Sequence, residues 1–233
     1  MHFCTYFDHN YIFRGLALHS SMMRHCGSFT LHILCLSDEC YSILKELRLP
    51  NVELITVKDL ETFQPKLIIA KSNRSKVEFY FTCTPVVLLY LLSKSDIGLI
   101  TYLDSDTYFF SSPEEVFDEI KGASVAIVSH RFPEKLKNLE IHGKYNVGWL
   151  TFVKDADGLK CLNWYMERCL EWCYDIVEED RYADQKYLDQ FSSIANGVIE
   201  INHLGCNLAP WNSKNYKISF DNKNINVDNQ KLI

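Results

Sequence analysis

Short apolar runs rich in β-branched and aromatic residues alternate with segments of helical periodicity along most of this chain. The first pair is a strand over 3–7 and a helix over 11–25, and the second is a strand over 31–36 and a helix over 39–47. Strands that alternate with helices form a mainly parallel sheet covered by helices. The pattern therefore predicts an α/β fold of one domain, with a mixed, mainly parallel central sheet flanked by helices.

The alternation continues through the rest of the chain. Further strands are predicted over 52–57, 99–103, 124–129, 146–153 and 198–202, and further helices over 77–92 and 158–176. A polar stretch over 58–76 precedes the helix over 77–92, and Pro85 is expected to kink or restart that helix. After Trp211 the chain becomes rich in Asn and Lys. We therefore expect a domain over 1–212 and a loosely attached C-terminal segment over 213–233.

Composition bears on the partners and the location of the protein. The 233 residues carry a net charge of −6 without a basic run, which argues against nucleic acid as a partner. The longest apolar run, over 86–92, is far shorter than the roughly 20 residues of a membrane span, so none is expected. Nine cysteines, without close metal-type pairs apart from Cys169 and Cys173, indicate reduced, mostly buried thiols, and hence a cytoplasmic protein.

The sharpest motif is the apolar strand over 99–103, which leads directly into Asp104, Ser105 and Asp106. Ligands of open α/β sheets bind at the carboxyl ends of the strands. Carboxylate oxygens suit Mn²⁺ or Mg²⁺, which bridge the oxygens of a phosphate or diphosphate. The alternative is a turn that caps the next helix. The buried strand in front favours a metal site in which Asp104 and Asp106 are the ligands and Ser105 lines the same site.

Two classes of enzyme place an Asp-x-Asp motif after such a strand. Phosphatases of the haloacid-dehalogenase type have it near the start of their core and need a later acidic pair after another strand. The only later acidic cluster here, over 178–180, follows a predicted helix. Nucleotide-sugar transferases of the GT-A fold have a nucleotide-binding half before the motif, as this chain does. The order of segments favours the second class.

Four segments make the chain similar to glycosyltransferase family 8, the retaining GT-A group that includes glycogenin-like enzymes and lipopolysaccharide galactosyl- and glucosyltransferases. They follow the family's order and lie within residues 3–212. The segments are Tyr6-Phe7-Asp8-His9-Asn10-Tyr11, Asp104-Ser105-Asp106, Tyr145-Asn146-Val147-Gly148-Trp149-Leu150 and Ala183-Asp184-Gln185-Lys186-Tyr187-Leu188. The resemblance implies a GT-A type, Rossmann-like fold.

The resemblance also implies roles for the residues in these segments. It assigns the base and ribose of a nucleotide sugar to Tyr6, Asp8, Asn10 and Tyr11. It assigns the donor sugar pocket to Asn146 and Gly148, and the surroundings of the reaction centre to Asp184 and Gln185. Each group also has a purely structural interpretation, namely aromatic core packing, a strand bulge and a solvated acidic face.

A diphosphate needs cations, and the chain offers Lys71, Arg74 and Lys76 in the polar stretch before the helix over 77–92. The first two are our candidates for diphosphate contacts, although exposed basic residues are more often ordinary surface. The family often carries an arginine after a tyrosine within that helix. Tyr80 is followed here by Phe, Thr and Cys, so this contact has no counterpart.

The C-terminal part departs from the family. The family closes with a His-x-x-Gly-x-x-Lys segment, whose His is a third metal ligand, and no His follows Trp211. Three interpretations stay open: a longer protein, a metal shell completed by water, or a compromised enzyme. His203 is the first candidate for a replacement ligand. Trp211, after the turn over 205–210, is a candidate for an acceptor site.

These observations predict a metal-dependent enzyme that transfers a hexose from a UDP-sugar to a glycan, lipid-linked or protein-linked acceptor. The resemblance to family 8 implies retention of configuration. Two other classes are weighed against it, a nucleotide-sugar binding module without turnover and a phosphatase of the haloacid-dehalogenase type.

Overall fold

The computed structural model describes residues 1–221 and 223–233, so the predicted segment over 213–233 includes one position outside the described residues. The strands are β1 (His2–Phe7), β2 (Thr30–Cys35), β3 (Val52–Thr56), β4 (Leu99–Leu103), β5 (Val125–Ser129), β6 (Tyr145–Val153), β7 (Val198–Glu200), β8 (Ile218–Phe220), β9 (Ile225–Val227) and β10 (Gln230–Lys231). The α-helices are α1 (Ile12–His25), α2 (Asp38–Leu47), α3 (Val57–Phe63), α4 (Lys66–Asn73), α5 (Lys76–Ser93), α6 (Glu114–Glu119), α7 (Ala156–Glu171) and α8 (Phe191–Ile194).

A seven-stranded sheet forms the centre of the molecule, in the order β3-β2-β1-β4-β6-β5-β7. Six of its strands point in one direction, and β6 alone runs antiparallel, between β4 and β5. The carboxyl ends of β1 and β4 therefore lie side by side, next to the amino-terminal end of β6. This confirms the predicted mixed, mainly parallel sheet.

Each face of the sheet is covered by its own core. Side chains alternate between the faces of a strand, so Phe3 and Phe7 of β1 join the core that includes Leu18 of α1, while Cys4 joins the core built around α5 and α7. Burial of such apolar surface is the main stabilising contribution to a fold of this type. The two cores hold the strand ends between them at a fixed spacing.

The polar stretch over 58–76 contains two helices that the sequence pattern does not reveal, α3 and α4. Their polar faces dominate the sequence, while a few apolar side chains, Leu60, Leu67 and Ala70, are buried against the core. Helix α5 begins at a capping box, in which the Ser75 and Glu78 side chains bond each other's backbone N–H groups. It runs on through Pro85, so the restart predicted at that proline does not occur.

Helix α5 is long and apolar enough to cross a bilayer by length and composition, and 56% of that window is buried inside the protein. The expected absence of a membrane span stays a prediction.

All nine cysteines are buried free thiols, as their spacing predicts. The cytoplasmic location also stays a prediction.

The C-terminal residues form a small antiparallel sheet, β8-β9-β10, which ends against the main domain. Ile233 is buried, its N–H donates to the Gly205 carbonyl (3.1 Å), and its own carbonyl accepts from the Phe110 N–H (3.1 Å). The Ser111 hydroxyl donates to the Leu232 carbonyl (2.6 Å). The division at residue 212 stays a prediction, which the following substitution probes.

Replacing Gly205 by alanine tests how closely the C-terminal strand is packed against the domain. A methyl group at this position would overlap the Lys231 carbonyl oxygen, so we expect a loss of about 1–3 kcal/mol in the free energy of unfolding. Gly98→Ala is the matched control, because a methyl group there meets nothing within 4 Å. Urea unfolding measures the free energy of unfolding of both variants. Equal stability of the two variants would show that the C-terminal strand leaves Gly205 in solution.

Candidate functional site

The site is centred on Asp104, the first residue after β4. Its N–H faces the Gly148 carbonyl of β6 (3.4 Å), and its carboxylate accepts a hydrogen bond from the Tyr102 hydroxyl (3.0 Å). Burial, and then the negative charge of Asp106, raise the pKa of Asp104 to about 6, which the Tyr102 bond partly opposes. Two like charges thus meet at a strand end, where a cation would relieve their repulsion.

Asp104 lines three adjoining cavities. The Tyr11 cavity, about 390 Å³, is lined by residues that include Tyr6, Asp8, Asn10, Tyr11 and Asp106. The Asp184 cavity, about 370 Å³, is lined by residues that include Tyr6, His142, Asn146, Asp184 and Gln185. The Trp211 cavity, about 480 Å³, is lined by residues that include Asp106, Asn146, Gly148, Asn207 and Trp211. One carboxylate is therefore common to three spaces of ligand size.

The Tyr11 cavity combines a flat aromatic face with a buried carboxylate. The Tyr11 ring is 46% exposed, and Asp8 begins the 3₁₀ turn His9–Tyr11 by accepting from the Asn10 N–H (2.9 Å). The Tyr6 ring packs on Tyr102 with centroids 5.3 Å apart. Tyr6 thus serves both core packing and the wall of the cavity, which Ser105 also lines.

The Asp184 cavity brings together side chains that lie far apart in the sequence. The Asn146 amide donates to the Asn207 side chain (2.9 Å) and accepts from the Gly148 N–H (3.0 Å). The Gln185 amide donates to the His142 carbonyl (3.1 Å). Ala183, just before Asp184, is buried and has a left-handed φ of 45°. Such strain in a residue other than glycine concentrates at functional sites.

Asp184 is a buried carboxylate that accepts a hydrogen bond from the Thr84 hydroxyl (2.8 Å). Burial is the main reason that its pKa is raised, to about 7, and the charge of Asp104 adds to the shift, while the Thr84 bond opposes it. Thr84 is also 3.2 Å from the Tyr6 hydroxyl. The Thr84 hydroxyl therefore links Asp184 to Tyr6, which lines both the Tyr11 and the Asp184 cavities.

Gly148 leaves open the space beside Asp104. A Cβ atom at this position would lie 3.3 Å from the Asp104 Oδ2 and 3.2 Å from the Asn146 amide nitrogen, closer than most side-chain contacts. The absence of a side chain keeps one carboxylate oxygen of Asp104 accessible from the Trp211 cavity.

Two predicted cations do not reach these cavities. Lys71 pairs with Glu61 (2.7 Å), and the Arg74 guanidinium donates to the Leu170 carbonyl (2.8 Å). Both line a separate cavity, whereas Lys76 contacts Asp8 (2.7 Å) and lines the Tyr11 cavity. A role for Lys71 and Arg74 in binding a diphosphate stays a prediction.

Several hydroxyl groups of the site have almost no signal in the sequence, those of Tyr80, Thr84 and Tyr102. The first two lie on α5, whose apolar composition marks it as a core helix, and no short motif singles them out. Thr84 stands beside Pro85, which is the one local signal that could have drawn attention to it. Their role depends on contacts between elements, which spacing along the chain does not encode.

The residues present suit a divalent cation held jointly with a ligand. Within 1–221 and 223–233, no group of three or more His, Cys, Asp or Glu residues is arranged to hold an ion. Mg²⁺ is usually held by one or two carboxylates together with substrate phosphates. Asp104 and Asp106 match that chemistry. His203 instead contacts Glu115 (3.2 Å), away from the three cavities.

Asp184→Asn tests how much the charge of Asp184 lowers the free energy of unfolding. A pKa raised above the unfolded value near 3.9 means that the folded protein binds more protons between about pH 4 and pH 7, so stability falls as pH rises through that window. The amide keeps an acceptor for Thr84 and removes the charge. We expect the variant to gain about 1–4 kcal/mol of unfolding free energy at pH 8 and little at pH 4.

The control for this measurement is Asp118→Asn, which changes an exposed carboxylate on α6. Denaturant unfolding at both pH values compares the two variants with the unsubstituted protein. A stability gain of Asp184→Asn that is the same at pH 4 and pH 8 would contradict a charged Asp184 as the cause.

Sequence comparisons place the chain beside two proteins of Bacillus subtilis. No protein-family model matches the chain. The protein YfnF of Bacillus subtilis is 30% identical over 240 residues, which cover 99% of this chain and 78% of YfnF. YfnD of the same organism is 28% identical over 236 residues, covering 100% and 75%. Both are described only as uncharacterized proteins. At this identity and coverage, the chain belongs to the family of YfnF.

Solved structures with a similar fold are glycosyltransferases. Mouse xyloside xylosyltransferase 1 superposes with a TM-score of 0.55 at 13% identity, covering 88% of this chain and 85% of that one. The galactosyltransferase LgtC, solved with donor and acceptor sugar analogues, gives 0.56 at 18% identity, covering 86% and 73%. The glycosyltransferase GlyE of Streptococcus pneumoniae gives 0.54 at 16% identity, covering 87% and 45%. These likenesses confirm the GT-A fold and the resemblance to GT-A glycosyltransferases.

Proposed function

We propose that this member of the YfnF family is a metal-dependent glycosyltransferase that moves a hexose from a UDP-sugar to a glycan, lipid-linked or protein-linked acceptor. The observation that carries the proposal is the position of Asp104, which lines three adjoining cavities at the carboxyl edge of the sheet. A donor needs space for a nucleoside, a diphosphate and a sugar in that order. The acceptor needs a third space beside them.

The donor is assigned to two of the cavities. The base and ribose fit the Tyr11 cavity, where an exposed aromatic ring and Asp8 offer stacking and hydrogen bonding. The sugar fits the Asp184 cavity, where Asn146, Asp184 and Gln185 present polar groups to its hydroxyls. The diphosphate then crosses Asp104, Ser105 and Asp106.

A divalent ion, Mn²⁺ or Mg²⁺, is assigned to Asp104 and Asp106, and when bound it would supply charge to the departing diphosphate. The chain's own groups do the remaining work. Asn146 and Asp184 orient the sugar, and apolar walls of the same cavity, such as Phe81 and Val147, exclude bulk water from it. The neutral Gln185 amide is assigned to the reaction centre.

We propose that the reaction retains the anomeric configuration. In a front-face route the acceptor hydroxyl approaches from the side of the leaving diphosphate, whose oxygen takes up the hydroxyl proton. An amide such as Gln185 is compatible with this route, since it stabilises charge without forming a covalent bond. The Trp211 cavity shares Asp104 and Asp106 with the Tyr11 cavity and is assigned to the acceptor, for which an aromatic face suits sugar C–H groups.

A phosphatase of the haloacid-dehalogenase type is not favoured. The acidic cluster over 178–180 lies in a loop after α7 rather than at a strand end, and Glu178 pairs with Arg181 (2.6 Å). Turnover distinguishes a transferase from a binding module. The test is a panel of nucleotide sugars with Mn²⁺, read by release of free nucleotide. Release from a UDP-sugar supports the proposal, and release from none of the panel contradicts it.

Asp106→Asn tests the metal assignment. Loss of one of two carboxylates should weaken UDP binding in the presence of Mn²⁺ by about tenfold or more, equivalent to roughly 1.4 kcal/mol, and leave the weaker metal-free binding unchanged. The exposed Asp118→Asn serves as the matched control. Isothermal titration of each variant with UDP, with and without Mn²⁺, measures the two binding constants. Unchanged metal-dependent binding by Asp106→Asn would refute the assignment.

Gln185→Ala separates a role in the reaction from a role in the fold. We expect kcat for nucleotide release to fall roughly 10- to 100-fold while the Kd for UDP is unchanged, because the amide is placed at the sugar and not at the nucleotide. Gln190→Ala is the matched control, since Gln190 in the same 3₁₀ helix also donates to a backbone carbonyl (3.1 Å). Equal losses in kcat and UDP affinity would assign Gln185 to the structure alone.

A further inference from the structure

The carboxylate of Asp8 is enclosed by hydrogen-bond donors. It is 6% exposed, and its Oδ1 accepts from the Asn10 N–H (2.9 Å). Its Oδ2 accepts from the Lys76 Nζ (2.7 Å), the Tyr80 hydroxyl (3.2 Å) and the Asn10 side-chain amide (3.3 Å). An arrangement with four donors and no acceptor suits only the ionised form of a carboxyl group.

Lys76 keeps Asp8 ionised in spite of burial. Burial is the largest influence and by itself raises the pKa of Asp8, but the hydrogen bonds from Lys76 and Asn10 outweigh it and leave the pKa below the ordinary value. Asp8 therefore has no proton to donate near neutral pH. Its Oδ2 is fully occupied, while Oδ1 has one partner within residues 1–221 and 223–233 and retains a free acceptor direction.

The two donors are held in place by helix α5. Lys76 and Tyr80 are four residues apart, in the first turns of the helix, and the capping box of Ser75 and Glu78 fixes where the helix begins. The Lys76 ammonium lies 5.6 Å from the centre of the Tyr80 ring. Both residues line the Tyr11 cavity together with Asp8. An ammonium has three N–H groups, so Lys76 has donors left beyond the one on Asp8.

The Tyr11 cavity thus presents the Asp8 carboxylate as a fixed acceptor beside the Lys76 ammonium as a fixed donor. Uracil has a ring N–H next to a carbonyl and matches this pair, and the ring N–H and carbonyl of guanine do so too. Cytosine and adenine have an unprotonated ring nitrogen next to an amino group. In this cavity the lone pair of that nitrogen would face the Asp8 carboxylate, and the amino N–H would face the Lys76 ammonium. A site built to accept from a ligand N–H rejects a ligand without it far more strongly than it rejects a change of size.

We propose that Lys76 and Tyr80 are specificity-determining residues, which hold Asp8 as a permanent acceptor and so restrict the nucleotide to one whose base has a ring N–H beside a carbonyl. This inference rests on the proposed function, because it takes the Tyr11 cavity as the nucleotide site. Lys76 and Tyr80 act through Asp8 and are positioning residues. Without Lys76, Asp8 can take up a proton, donate it to a ring nitrogen, and tolerate cytosine.

Nucleotide titrations test the inference. Isothermal titration gives the Kd of the protein for UDP, GDP, CDP and ADP, each with Mn²⁺. We expect UDP or GDP to bind at least about tenfold more tightly than CDP and ADP, and Lys76→Met to reduce that ratio by about tenfold or more. Tyr80→Phe, which removes one hydroxyl, should reduce it less. Lys76→Arg keeps the charge and should keep the preference.

Lys45→Met is the matched control, because Lys45 also stands four residues from a tyrosine, 5.5 Å from the ring of Tyr41, and has no carboxylate partner among the residues that the structure describes. Melting temperatures show whether each variant is folded. A purely structural Lys76 would weaken all four nucleotides equally, and an unchanged ratio in Lys76→Met and Tyr80→Phe overturns the inference. Equal binding of all four by the unsubstituted protein also overturns it, with the nucleotide site intact. If no nucleotide binds, the proposed function itself fails.

Discussion

The antiparallel pairing of β6 with β4 is the interaction on which the site depends. Because β6 enters the sheet where β4 leaves it, its first residues lie against the carboxyl end of β4, with Leu103 opposite Trp149. Asn146 and Gly148 therefore meet Asp104 across one ladder, and Gly148 has no side chain to fill the space between them. A parallel strand in this place would bring its opposite end to Asp104, and the Asp184 and Trp211 cavities would lose a shared wall.

The site concentrates charge where the scaffold is rigid. Asp104 and Asp184 are carboxylates whose pKa is raised mainly by burial. The charge of Asp106 adds to the shift of Asp104, and the charge of Asp104 adds to that of Asp184, so the folded protein is less stable for carrying them ionised. The two apolar cores on either face of the sheet compensate for that cost, since they fix β1, β4 and β6 from both sides. Stability given up at a preorganised ligand site is typical of enzymes.

The sequence alone could predict the strands and the residues that stand at their ends. Buried strands such as β4 carry their apolar pattern in the chain itself, and Asp104 and Asp106 follow at a spacing that ordinary ligand chemistry explains. The predicted grouping of Asn146, Asp184 and Gln185 required the whole sheet, and the structure brings them to one cavity. Helices α3 and α4 escaped prediction because only a few of their residues are buried. Lys71, Arg74 and Lys76 look alike in the sequence, and only packing reveals that Lys76 alone reaches Asp8.

The proposed activity requires a nucleotide sugar to lie across Asp104, with its base in the Tyr11 cavity and its sugar in the Asp184 cavity. A crystal structure with Mn²⁺ and a non-hydrolysable UDP-sugar measures this directly. We expect the base against Tyr11, the metal at Asp104 and Asp106, and a sugar hydroxyl within about 2.7–3.2 Å of Asp184 or Asn146. A nucleotide seated elsewhere, for example beside Lys71 and Arg74, or a metal without contact to Asp104, would contradict it.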